Sequence, residues 1–396
     1  MQACLCNLGS AIRNNLSGNN ANGAGVLVTG ANSNFTMNGG EISGNFARTL
    51  GSGTNGGGGV RVHQGTFTMN AGTIQNNESN RHGGGVYLTG SSQFIMNGGV
   101  ITGNQSSLGA GVGVFATGAA TEFPTFTMID GEIHNNLARP TPGNSAALGG
   151  GVNIERGIFN MQGGKIHSNT VQGGSAAQGG GGVFIQANGT FNLINGTIYN
   201  NEAPHTGGVR MHDGIFIMTD GLIQNNRSLV GVGGGVNLRV GTSFTMNGGT
   251  IDNNTAATNG GGVFVEGGAP FIMNNGTISN NTANGTAATM GGGGIFVAAT
   301  SSINIQNGSI INNTAVSRGG GIFTGANTGV NAYLNITTSN AVVFSGNSAT
   351  TGAFHPPAFA VGLANIGFAS SSVSILSAYV HPINNYDINF VGTPIL

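Results

Sequence analysis

Two histidines and a tyrosine stand in one recurring setting: Glu132-Ile133-His134, Lys165-Ile166-His167 and Thr197-Ile198-Tyr199. A polar residue, an isoleucine and a ring follow one another each time, so whatever positions one triplet positions the others. Glu132 and Lys165, the only lysine of the chain, add a carboxylate and an ammonium, and Asp130 lies just upstream. Such a set can hold and move protons or hydrogen-bond a glycan. A plain ion pair between Glu132 and Lys165 is the structural alternative.

A second strip carries Glu155, Gln186, His212, Arg239 and Glu266 at equivalent places, flanked by Arg156 and Arg210. Neighbours on adjacent strands lie about 5 Å apart, so the strip reads as a mixed ladder of ion pairs that sets register, or as a ligand-binding surface. Phe264, Phe296 and Phe323 form a third feature. They fall between inward-facing residues and are expected to stack outward as an aromatic ladder, either covered by a loop or C-terminal segment or free to bind sugar rings or a protein.

Other chemistries fit less well. Cleavage or elimination of polysaccharide needs convergent carboxylates or calcium ligands. Asp130 and Asp220 occupy equivalent positions but lie three repeats apart, and Asp213 and Asp252 fall elsewhere, so no catalytic residue is assigned. Cys4 and Cys6 form a lone C-x-C with no second pair, so neither a metal nor any other cofactor is expected. The Gly triplets before Val60, Val86, Val152 and their equivalents precede strands and lack a P-loop lysine, which makes them tight corners and not phosphate cradles.

Positioning all these groups falls to a repeat, GGGV-x-V, then F-x-M-N-G-G-x-I-x-x-N, then a variable loop. Phe35, Phe67, Phe94 and their successors each precede an isoleucine by seven residues, and that isoleucine precedes an asparagine by three. The asparagines run from Asn45, Asn77 and Asn104 through Asn136 and Asn169 to Asn313. Apolar residues alternate within each unit, which is strand periodicity, and no window offers helical spacing. Three short strands per unit, each pairing with its copy one repeat later, predict a parallel β-helix of about eleven or twelve coils. Eight of the 11 methionines fall in one column, from Met37 to Met273, which reads as core packing. The asparagines are expected to take left-handed corners and to bond through stacked amides. Longer loops follow Asn45, Asn136, Asn169 and Asn281, and residues 119–124 form a further insertion. Displayed from a fixed scaffold, such edge loops suit recognition.

Composition agrees. Of 396 residues 76 are glycine and only 6% are charged, with Lys+Arg 11 against Asp+Glu 12, too neutral for a nucleic-acid partner. No apolar run is long enough to span a bilayer, and no signal peptide is visible at Met1.

The unit with GGGV at one corner and I-x-x-N-T-A at another, and FSGNSA from Phe344 to Ala349, resembles the GGxI and FxxN repeats of chlamydial polymorphic outer membrane proteins. That resemblance implies a right-handed β-helix passenger on a cell surface. The stretch from His381 to Asn389, after PPAFAVGLANIGFASSSVSIL, is similar to the close of the pectate-lyase-like adhesive domain of Gram-positive surface proteins. Together the expectations are an all-β, right-handed parallel β-helix with an incomplete N-terminal coil over 1–24, repeats over 25–347 and a C-terminal coil and cap over 348–396. The expected function is that of a non-enzymatic adhesin or display rod, extracellular or on a bacterial cell surface. A glycan or a host or matrix protein would bind through the edge loops and through Arg210, His212, Arg239, Glu266, Phe264, Phe296, Phe323, His134, His167 and Tyr199. The alternatives are a polysaccharide lyase or hydrolase and a self-assembling filament or sheath subunit. The ragged start predicts that the N-terminal edge is covered by upstream sequence or by end-to-end self-association.

Overall fold

A computed structural model describes residues 2–5, 9–18, 22–48, 55–116, 123–142, 144–173, 179–325, 335–339, 341–350 and 388–390. Two compact units divide the chain, Met1–Ile215 and Phe216–Leu396. Each is a parallel β-helix, and the described residues contain no helix. One coil of the first unit shows the plan: Val60–His63, Thr66–Met69, Thr73–Gln75 and Glu78–Ser79. Each strand lies in its own sheet, which we call the valine, phenylalanine, isoleucine and short sheets.

A coil therefore has four strands, where the alternation predicts three. The fourth has two residues, as in Leu137–Ala138 and Thr282–Ala283, too few for a period of two to register. Its second residue is small and points inward: Ala47, Ser79, Ala138 and Ala203 are all fully buried. The T-A that follows Asn254, Asn281 and Asn313 is this strand.

Register is residue for residue. Phe94 faces Phe67 on one side and Phe126 on the other, with ring centroids 4.7 Å and 4.8 Å away and planes within 4° and 7°. Phe216, Phe244 and Phe271 stack likewise in the second unit. Met37 to Met161 form a buried column beside the rings in the first unit, and Met218, Met246 and Met273 do so in the second. The corner after the methionine requires glycine. Gly72 has φ +97°, and a Cβ there would lie 2.6 Å from the Cε of Met37 in the preceding coil.

The asparagine column is an amide ladder. Asn104 Nδ2 donates to Asn136 Oδ1 at 3.0 Å and to the Ile74 carbonyl at 3.0 Å, while Asn136 Oδ1 also accepts from the Asn104 backbone N–H at 3.0 Å. The same set repeats from Asn45 to Asn169 and from Asn254 to Asn313, all buried. Stacked amide bonding is as expected, but the left-handed corner is not at these residues. It belongs to the residue before each: Asn76 (φ 54°), Asn135 (φ 54°), Ser168 (φ 54°) and Asn280 (φ 55°). That residue turns the chain so that the next asparagine points inward.

Past its first strand, Val26–Thr29, where Leu27 is exposed, the outer face of the valine sheet is covered. Arg61, Tyr87, Asn153, Phe184 and Arg210 are central residues of its strands in the first unit, and all are buried. The chain between the short and valine strands folds back over them. There Gly56, His82, Leu108, Leu148 and Gly179 form a ladder of single parallel bridges outside the sheet. His82 stacks on Tyr87 at 5.0 Å, Arg61 lies over the same ring at 5.2 Å, and Leu108 and Leu148 pack on Phe184. Arg81 Nε donates to His82 Nε2 at 3.0 Å, so that nitrogen is unprotonated. Burial, then the charges of Arg81 and Arg61, push the His82 pKa down to about 3.

The expected C-terminal cap lies mostly outside the described residues, which at that end comprise Ser348–Ala349 in the short sheet and Ile388–Phe390 beside Ile322–Thr324. Cys6, residues 119–122 of the insertion and parts of the loops after Asn45, Asn136 and Asn169 also lie outside them.

Two predictions follow from the ladder and the covering layer. Asn136→Ala strips partners from Asn104 and from the Ile101 carbonyl, and is expected to cost about 3–5 kcal/mol in chemical denaturation, whereas Asn97→Ala, in the solvent-exposed amide row in which Asn97 donates to Asn70 and Asn70 to Asn38, costs under about 0.5 kcal/mol. His82 stays neutral in the folded chain while the unfolded chain protonates near pH 6.5. Its contribution is thus complete above pH 6.5 and lost as the pH falls toward 3, at up to about 1.4 kcal/mol per pH unit. Denaturation midpoints measured across that range are expected to fall less steeply in His82→Phe.

Candidate functional site

Of the candidate groups, the histidine and tyrosine triplets on the isoleucine sheet assemble most completely. Glu132–His134, Lys165–His167 and Thr197–Tyr199 are adjacent strands in the first unit, with Glu132 facing Lys165 and His134 facing His167, which in turn faces Tyr199. The isoleucine between each pair is fully buried, so both flanking side chains project outward from one face. His134 and His167 stack at 4.8 Å with planes 7° apart, and Tyr199 continues the stack at 4.6 Å and 15°.

Hydrogen bonds fix the ring orientations. His134 Nδ1 lies 2.9 Å from Asn135 Nδ2 and 3.2 Å from Thr102 Oγ1, and His167 Nδ1 lies 3.2 Å from Ser168 Oγ. Lys165 Nζ donates to Glu132 Oε1 at 3.0 Å. Glu132 Oε2 lies 3.6 Å from His167 Nε2, an ion-pair distance too long for a hydrogen bond. That nitrogen is out of solvent and has no hydrogen-bond partner.

Charge states follow. The hydrogen bond from Lys165 is the largest influence holding Glu132 below its ordinary pKa, and the same bond raises the pKa of Lys165. Burial, then the charge of His167, lowers the pKa of His134. At neutral pH the site therefore holds an ionised carboxylate, an ammonium and a neutral imidazole. Glu132 is a proton acceptor there and not a general acid. Glu132, His134 and His167 each present one donor atom, and the three lie within 4.8 Å of one another.

The second strip forms two short ladders. Gln186 Nε2 donates to Glu155 Oε2 at 3.0 Å in the first unit, and Arg239 Nε meets Glu266 Oε1 at 3.0 Å in the second. His212 is exposed. Arg210, expected on the outer surface, is instead buried among the covering groups and faces Phe184 in register. Burial raises the pKa of Glu155, while Arg156, Arg81 and Gln186 pull it back.

The phenylalanine ladder is likewise not free to bind a ligand. Phe264 and Phe296 stack at 4.8 Å, and Phe323 meets Phe296 tilted by 53° at 5.8 Å, but the three are 7%, 7% and 0% exposed and pack against Val232 and Ala298. Val232 comes from the chain leading into the valine strand, the fold-back that alternation within the strand cannot report.

Asp130 and Asp220 accept from the backbone N–H of Gly131 and Gly221, at 2.7 Å and 2.8 Å, so each closes its own turn. No helix among the described residues is long and apolar enough to cross a membrane. The chain matches no family model, no curated protein and no solved structure.

Phe296→Ala separates a buried ladder from an exposed one. It is expected to cost about 3–5 kcal/mol in a denaturation experiment, the loss of a core ring, where removal of an exposed ring would cost under about 1 kcal/mol.

Proposed function

We propose that the protein is a non-enzymatic β-helical display scaffold of the adhesin type, extracellular or on a cell surface. It binds a glycan or a host or matrix protein through outward side-chain columns and edge loops. The observation that carries this reading is how its carboxylates are used. Glu132 pairs with Lys165, Glu41 with Arg13 and Glu266 with Arg239, while Asp130 and Asp220 close turns and Asp252 accepts from Ser279 and Asn280. These groups are committed to register along the sheets and do not converge on one point.

The isoleucine sheet is the favoured binding face. Its rings cover one another, so a ligand meets their edges, the Glu132–Lys165 pair and the flanking polar side chains. The register-locked core beneath keeps these groups fixed before binding, which lowers the ordering cost of recognition.

A panel of glycans and matrix proteins tests the reading. Binding is expected to a member of that panel, weakened about tenfold or more by Tyr199→Ala or Lys165→Ala if these residues contribute as contact hot spots do. Incubation with acidic and neutral polysaccharides is expected to leave the chains intact. Cleavage that disappears in His134→Ala would replace this reading with a carbohydrate-active one.

A further inference from the structure

We propose that Glu132, His134 and His167 form a binding site for one divalent transition-metal ion of the zinc class. The inference rests on the geometry of these three residues and stands whether or not the protein is an adhesive scaffold.

The donor set is built by register. Glu132 and His134 leave the same face of one strand, two residues apart, and His167 comes from the next strand directly opposite His134. Carboxylate and imidazole atoms are thus brought within 4.8 Å of one another. Donors around a tetrahedral zinc ion, with bonds of about 2.0–2.1 Å, stand about 3.3 Å apart. Closing on an ion takes a shift of about 1.5 Å, which rotation of the side chains supplies without moving the strands.

Two further observations point to an ion. His167 Nε2 is out of solvent without a hydrogen-bond partner and faces Glu132 Oε2 at 3.6 Å. Buried polar atoms ordinarily have a partner, and a cation between these two atoms would satisfy both. His167 also has a hydroxyl at Nδ1, Ser168 Oγ at 3.2 Å, whereas His134 Nδ1 accepts from the Asn135 amide at 2.9 Å and gives up that bond on binding a metal. A hydroxyl accepting from Nδ1–H leaves the Nε2 lone pair free, the outer-sphere arrangement that metal-binding histidines use.

Two imidazole nitrogens and one carboxylate select zinc, nickel or copper over calcium and magnesium, which require oxygen ligands. Three protein ligands leave a coordination position open to water or to an oxygen of a bound molecule. Lys165 acts against the ion. Its ammonium, 3.0 Å from Glu132 Oε1, already supplies positive charge to the carboxylate.

Calorimetric titration of the full chain with zinc chloride, beside calcium chloride, tests the site. Cys4→Ser and Cys6→Ser are introduced throughout so that thiols do not contribute. One zinc per chain is expected, and no calcium. His134→Ala and His167→Ala are each expected to weaken zinc binding about tenfold or more, and Glu132→Gln to weaken it several-fold. Lys165→Met, an exposed position that tolerates substitution, is expected to tighten it several-fold by freeing the carboxylate. Absence of zinc uptake, or uptake indifferent to both histidine substitutions, overturns the site. Affinity unchanged or weakened in Lys165→Met overturns it too, because that variant keeps all three ligands and removes only their competitor.

Discussion

A buried asparagine amide, repeated once per coil, holds the register on which every other contact depends. Its carbonyl accepts both the backbone N–H and the side-chain amide of the asparagine one coil before, and its own amide donates to an isoleucine carbonyl and onward to the next asparagine. These groups are out of water, so a slip by one residue would leave several of them unsatisfied at once. The same slip would turn the phenylalanines and methionines outward. Polar and apolar requirements therefore select the same pairing, and a core of identical side chains stacks without ambiguity.

Exact register makes the outside as ordered as the inside. Side chains at equivalent positions meet at the strand spacing, so a carboxylate in one coil and a lysine or arginine in the next become an ion pair with no further design. Glu132–Lys165 and Arg239–Glu266 arise in this way, as does the face-to-face stack of His134, His167 and Tyr199. Such pairs are partly exposed and contribute little stability each. Their consequence is chemical: donor atoms are held close together on a face whose backbone is hydrogen-bonded in register.

The valine sheet differs because, past its first strand, its outward face is not a surface. The chain that returns from the short strand lies over it, and the layer between encloses groups as polar as Arg61, Arg210 and His82 beside Tyr87 and Phe184. Ring stacking, the cation over the Tyr87 ring and the Arg81 hydrogen bond offset part of the cost of burying them. The outward columns that reach solvent thus belong to the other sheets, as His134, His167 and Tyr199 do on the isoleucine sheet.

Much of the fold was legible in the residues. The phenylalanine, methionine, isoleucine and asparagine spacings determined the coil, its register and which columns are core, because a parallel sheet of identical repeats has one pairing that satisfies them all. The Glu132, His134, Lys165 and His167 grouping was also legible, since register alone places those side chains together. Three things were decided only by the tertiary structure. The fourth strand was hidden because two residues carry no alternation, and the left-handed corner lies one residue before the asparagine because the amide must turn inward to bond. Arg210, Phe264, Phe296 and Phe323 are buried because a loop with no periodicity of its own covers them. Alternation reports which side of a strand a residue leaves from, and only the path of the rest of the chain decides what it meets there.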